Sequence, residues 1–231
     1  MPVKYSTKRK RKMTRRRKYA KKRAFGNSDR NVPRSLVNAG LGFPTKMMAK
    51  LKYQETVVAT TSGPLAHVQY ILNGLFDPNF TGGGHQPLYF DQYMQLYNHY
   101  LVIGAKVMVR IIPYESNTVP IKITLWQNDD TTITPATYYA AAEQSKAKSK
   151  IIGSTGDQIT TMDMGWSAKK TFGPPMANTL LRGNVSANPQ EQSVAVFSLE
   201  SVDGATTGSV ALQIYIEYQT IFTELRDIGA S

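Results

Sequence analysis

Along three stretches of this chain apolar and polar residues alternate strictly. That rhythm confines each stretch to a β-strand with one buried face. Ile121, Ile123 and Leu125 fall on one side, with Lys122 and Thr124 on the other. Val107, Val109 and Ile111 alternate with Lys106, Met108 and Arg110, and Leu212, Ile214, Ile216 and Tyr218 with Gln213, Tyr215, Glu217 and Gln219. Weaker candidates at Leu51 to Thr60, Ala66 to Leu72, Lys148 to Ile152, Gln158 to Met164 and Val194 to Leu199 bring the count to about eight. Turn residues separate them: Ser62-Gly63-Pro64, Gly82-Gly83-Gly84, Ser116-Asn117, Asn128-Asp129-Asp130 and Asp203-Gly204. Two connections have room for a short helix. In Pro87 to Tyr97, Tyr89, Tyr93 and Tyr97 recur at every fourth position, as do Phe90 and Met94. Thr134 to Glu143 offers Thr134 as N-cap and Pro135 at the first helical position. Strands without regular helical partners argue against a parallel α/β sheet. They leave an all-β body of two packed antiparallel sheets, a sandwich or a jelly roll.

Charge divides the chain differently. Lys4, Lys8, Arg9, Lys10, Arg11, Lys12, Arg15, Arg16, Arg17, Lys18, Lys21, Lys22 and Arg23 put 13 cations in the first 23 residues, with no Asp or Glu among them. The whole chain has 28 basic and 16 acidic residues, so the remainder holds 28 − 13 = 15 against 16. An arm this densely charged buries too little to offset its ordering entropy and is expected to be disordered when free. Its partner must be a polyanion, gripped through phosphates without base reading and with strong salt dependence. The same clusters suit a nuclear import signal. A membrane-surface role is disfavoured because no amphipathic helix adjoins the arm. From Gly26 the composition turns to Gly, Asn, Ser and Pro. The expected organisation is therefore arm 1–25, linker 26–45 and a folded domain 46–231.

Nothing in the chain points to catalysis. Cysteine is absent, which removes disulfides, thiolate metal sites and a Cys nucleophile. His67, His85 and His99 are scattered and fit no metal-ligand spacing. The glycines at 82–84 lack the Lys-Ser/Thr of a phosphate loop. Gly153-Ser154-Thr155-Gly156 reads as a turn, as does Asp129-Asp130. No catalytic residue, metal or cofactor is expected. No apolar run approaches the ~18 residues that span a bilayer, and no apolar region follows the arm as in a secretory signal. The tyrosines from Tyr89 to Tyr100 are expected to pack a loop helix or a subunit interface.

Two segments carry a family resemblance. Asn73 to Pro113, NGLFDPNFTGGGHQPLYFDQYMQLYNHYLVIGAKVMVRIIP, resembles a region of circovirus-like capsid proteins, in which a Gly-rich loop leads into an aromatic segment and a long strand. Lys148 to Gly173, KSKIIGSTGDQITTMDMGWSAKKTFG, is similar to a second segment of that group, whose viruses carry small circular single-stranded DNA genomes. The arm departs from the group in mixing seven Lys with six Arg. The resemblance implies a single eight-stranded antiparallel jelly roll, about sixty copies of which close an icosahedral shell. It also implies an inward arm that binds single-stranded DNA, or RNA when the protein is made alone, an import receptor, and residence in the virion and host nucleus. At 13 cations per arm, sixty arms carry about 800, enough for a genome on the order of 1,000 nucleotides. Arg34, Lys46, Lys50, Lys52, Lys169 and Lys170 are candidates for a basic inner wall. The competing reading is a cellular nucleic-acid-binding structural protein with a basic extension.

Overall fold

In the computed structural model the described residues are 42–61, 65–114, 117–154 and 159–227. The arm 1–25, the linker up to residue 41 and Arg34 lie outside them, as do Thr155 and Gly156. Eight strands form on the alternating stretches: β1 (Lys46–Thr61), β2 (Ala66–Ile71), β3 (Tyr97–Pro113), β4 (Ile121–Asn128), β5 (Lys148–Ile152), β6 (Thr160–Ser167), β7 (Val194–Ser201) and β8 (Gly208–Leu225). They make two antiparallel four-stranded sheets, ordered β1-β8-β3-β6 and β2-β7-β4-β5. Long-range pairing of β1 with β8 across the whole chain, in register from Lys46↔Thr223 to Thr61↔Gly208, makes this a jelly roll rather than a simple sandwich.

The inner faces hold the core. Leu51, Val107, Val109, Ile111, Met162, Met164, Leu212, Ile214 and Ile216 from one sheet meet Ile121, Ile123, Leu125, Ala195, Phe197 and Leu199 from the other, all buried. Phenols tie the layers together. Tyr218 Oη donates to the Ile71 carbonyl at 2.9 Å. The Glu55 carboxylate accepts from Tyr53 (2.6 Å), Tyr70 (3.0 Å) and the Asn79 amide (3.0 Å). Burial, aided by that carboxylate, pushes both phenols well above their ordinary pKa. Tyr100 Oη accepts from the Leu75 N–H and donates to Asn188 Oδ1. Its ring lies against Gly183, where any Cβ would collide with it.

Among the described residues three short α-helices sit in the connections: α1 (Phe90–Leu96), α2 (Tyr138–Ala142) and α3 (Ala168–Phe172). The cap expected at Thr134 is instead at Thr137, whose hydroxyl accepts from the Ala140 N–H. Tyr138 must reach β4, where its hydroxyl donates to the Ile123 carbonyl. That contact starts the helix three residues later and leaves Pro135 outside it. Among the described residues no helix is long and apolar enough to cross a membrane.

Candidate nucleic-acid interface

β1 places the predicted wall residues by its alternation. Leu51 and Tyr53 turn inward, so Lys46, Lys50 and Lys52 share its exposed face. Pairing then sets other strands beside them. Lys52 lies opposite Glu217 of β8, which lies opposite Lys106 of β3. Two residues along, Gln54, Tyr215 and Met108 form the next row, and Gln213 and Arg110 the row after that. The outer face of this sheet thus gathers Lys46, Lys50, Lys52, Lys106 and Arg110.

Its acids are already engaged. Glu217 pairs with Lys50 at 3.1 Å, and Asp163 of β6 with Lys148 at 3.5 Å. Both pairs are exposed, each worth no more than about 1 kcal/mol. The Arg110 guanidinium stands 5.7 Å from the Tyr215 ring centre. Lys52, Gln54, Lys106, Met108, Tyr215 and Glu217 line a groove of about 290 Å³.

Lys169 and Lys170 are exposed on α3. Lys170 lines a separate cleft with Gln127, Lys146 and Thr171, so these two lysines do not join the β1 cluster. Lys106, Arg110 and Tyr215 are the additions that sequence reasoning missed. All three stood on the polar side of their alternating strands; only the β1-β8-β3 pairing order brings them beside Lys50 and Lys52.

The other polar groups are structural. His67 Nδ1 bonds the Ser198 hydroxyl at 2.9 Å, and burial lowers its pKa. His85 stacks on Tyr53 with ring centres 4.7 Å apart. His99 meets Glu224 at 3.2 Å. Asp130 accepts from the N–H groups of Thr131 and Thr132, a turn that lowers its pKa.

These elements define an eight-stranded jelly roll, an architecture found in viral capsid, lectin and cupin domains. No protein-family model matches the chain, and neither does any curated protein. Solved structures with a similar chain trace include viral ones. A mud crab tombus-like virus structure is 14% identical, covers 86% of this chain and 100% of its own, and gives a TM-score of 0.46. For turnip yellow mosaic virus, as the empty head, the values are 12%, 83%, 88% and 0.46. A subviral particle of the Penaeus vannamei nodavirus capsid protein gives 11%, 74%, 98% and 0.40.

Proposed function

We propose that this chain is the subunit of a small icosahedral viral shell of the circovirus-like kind, and that it packages circular single-stranded DNA on residues 1–25. One observation carries the reading: 13 of the 28 basic residues stand in the first 23 positions, and the remainder balances at 15 against 16. A nearly neutral jelly-roll body can pack against copies of itself, because its net charge does not oppose assembly. The arm supplies the counter-charge that a phosphate backbone needs, and Lys46 and Lys50, with Arg34, extend it onto the wall. Exposed apolar residues on the connections, Leu88 and Tyr89 beside α1 and Tyr139 on α2, suit contacts between copies. The likeness of segments 73–113 and 148–173 supports the circovirus-like branch. The basic clusters also serve nuclear import, so assembly takes place in the host nucleus and the product is the virion. The role is structural, without an enzymatic step.

The test is deletion of residues 1–25. The expected outcome is a folded body whose particles no longer hold nuclease-protected DNA. Retention of protected DNA at the full-length level overturns the role of the arm. A stable monomer by light scattering under assembly conditions would favour the cellular nucleic-acid-binding reading.

A further inference from the structure

The outer face of the β1-β8-β3-β6 sheet fixes cations around an aromatic ring in one defined geometry. We propose that this face is a second, single-strand-selective nucleic-acid site, in which a base stacks on Tyr215 while Lys52, Lys106 and Arg110 hold the flanking phosphates. The inference rests on the packaging reading and deepens it, since neutralising phosphates, the role given to the arm, does not by itself tell single strands from duplex.

Three observations carry it. First, the charge is unspent. Among the described residues no carboxylate lies within ion-pair distance of Lys46, Lys52, Lys106 or Arg110, because the two acids of the face are held by Lys50 and Lys148. Second, an aromatic ring and a guanidinium stand together on this face. Tyr215 is half-buried, with Gln54 and Met108 beside it and the Arg110 guanidinium 5.7 Å from its centre. A Tyr ring with an Arg guanidinium over it joins two groups that stack on unpaired bases irrespective of sequence. Third, the groove between Lys52 and Lys106, about 290 Å³, is at the small end of ligand-binding cavities and suits one planar ring.

Nucleic acid fits this face better than a second copy of the chain. Protein interfaces deplete Lys from their centres, whereas Lys52 and Lys106 flank the middle of this sheet. A duplex satisfies the cations and leaves Tyr215 unused, because its bases are already stacked.

The experiment uses the full-length chain, kept unassembled, with a fluorescent oligo-dT carrying 5-iododeoxyuridine. Photocrosslinking with peptide mapping is expected to label the β8 peptide containing Tyr215 in addition to the arm. Tyr215→Leu should lose the β8 crosslink and weaken oligo-dT binding about fivefold or more, whereas Tyr215→Phe, which keeps the ring, should retain both. Replacing Lys52 and Lys106 together by Ala should make the log–log salt slope shallower by about 1.4. Duplex of the same length should be indifferent to Tyr215→Leu. Crosslinks confined to residues 1–25, or Tyr215→Leu and the double lysine variant binding like the parent, overturn the proposal. So does hydrogen-exchange protection of β1, β3 and β8 on assembly without nucleic acid, which would mark the face as a contact between copies. This outcome is separable from failure of the packaging reading. If only the arm crosslinks while arm deletion empties the particles, packaging stands and the second site falls. If the arm-deleted particles stay filled, the role of the arm falls, and the Tyr215 crosslink still reports on the face.

Discussion

On the β2-β7-β4-β5 sheet the outward side chains of β4 are Lys122, Thr124 and Trp126, and the connection from 129 to 147 lies over them. On the β1-β8-β3-β6 sheet the outward side chains Lys50, Lys52, Lys106 and Arg110 stand in solvent. The covered face has built a small core of its own: Trp126, Ile71, Val194, Val196 and Ala141, with Leu65, Ile133 and Ala147 packed around it. Thr124, on the polar side of a clean alternation, is fully buried there. The same chemistry behaves differently on the two faces. The Lys122–Glu200 pair closes to 2.6 Å with side chains 13% and 17% exposed, and Lys122 sits under the Tyr138 and Tyr139 rings. Lys50–Glu217 spans 3.1 Å at 64% and 37% exposure. An outward-facing strand position is thus stabilising where a connection covers it, and left available for a ligand where none does.

The contrast breaks most readily at Trp126. It is 1% exposed, and its Nε1–H donates to Ser198 Oγ at 2.8 Å. Trp126→Ala should destabilise the unassembled chain by about 3–5 kcal/mol in urea unfolding. A cost below about 1 kcal/mol would mean that the 129–147 connection merely rests on the sheet.

The two ion pairs sharpen it next. A double-mutant cycle on Lys122 and Glu200 should return a coupling of about 2 kcal/mol, against less than about 1 kcal/mol for Lys50 and Glu217. Equal couplings would show that the cover excludes too little water to matter.

Much of this was readable beforehand, for reasons that particular residues make clear. All eight strands fall on predicted stretches, β5 with the predicted bounds of Lys148 and Ile152, because period-two burial is a local property of the chain. The strands run longer than expected where alternation lapses: β3 starts at Tyr97, since Tyr100, Leu101 and Val102 are all buried. Helix α3 and two short 3-10 turns at 175–177 and 179–181 carried no periodic signal. Lys46, Lys50 and Lys52 were legible as one face of one strand. Their neighbours Lys106, Arg110 and Tyr215 were not, because strand order depends on contacts more than 100 residues apart, such as Lys52 with Glu217. For the same reason nothing local marked Lys122 as covered and Lys106 as bare.

The smallest expected effect tests the covered face through protons. His67 lies beside Ser198, which also receives the Trp126 N–H. Burial lowers its pKa below the ordinary 6.5, and a backbone hydrogen bond to Pro135 opposes that only in part. The folded chain therefore binds fewer protons at this ring than the unfolded chain does. The sign follows: stability rises with pH across the window beneath 6.5 and is lost as pH falls through it. The readout is a difference between two chains that share every other titrating group. Urea midpoints of the parent should fall more steeply between about pH 7.5 and pH 5 than those of His67→Gln, which keeps a polar group near Ser198 without a titrating ring. Parallel pH profiles would show that water reaches His67 as freely as it reaches the lysines of the open sheet, and the distinction between the two faces would then fail at this edge.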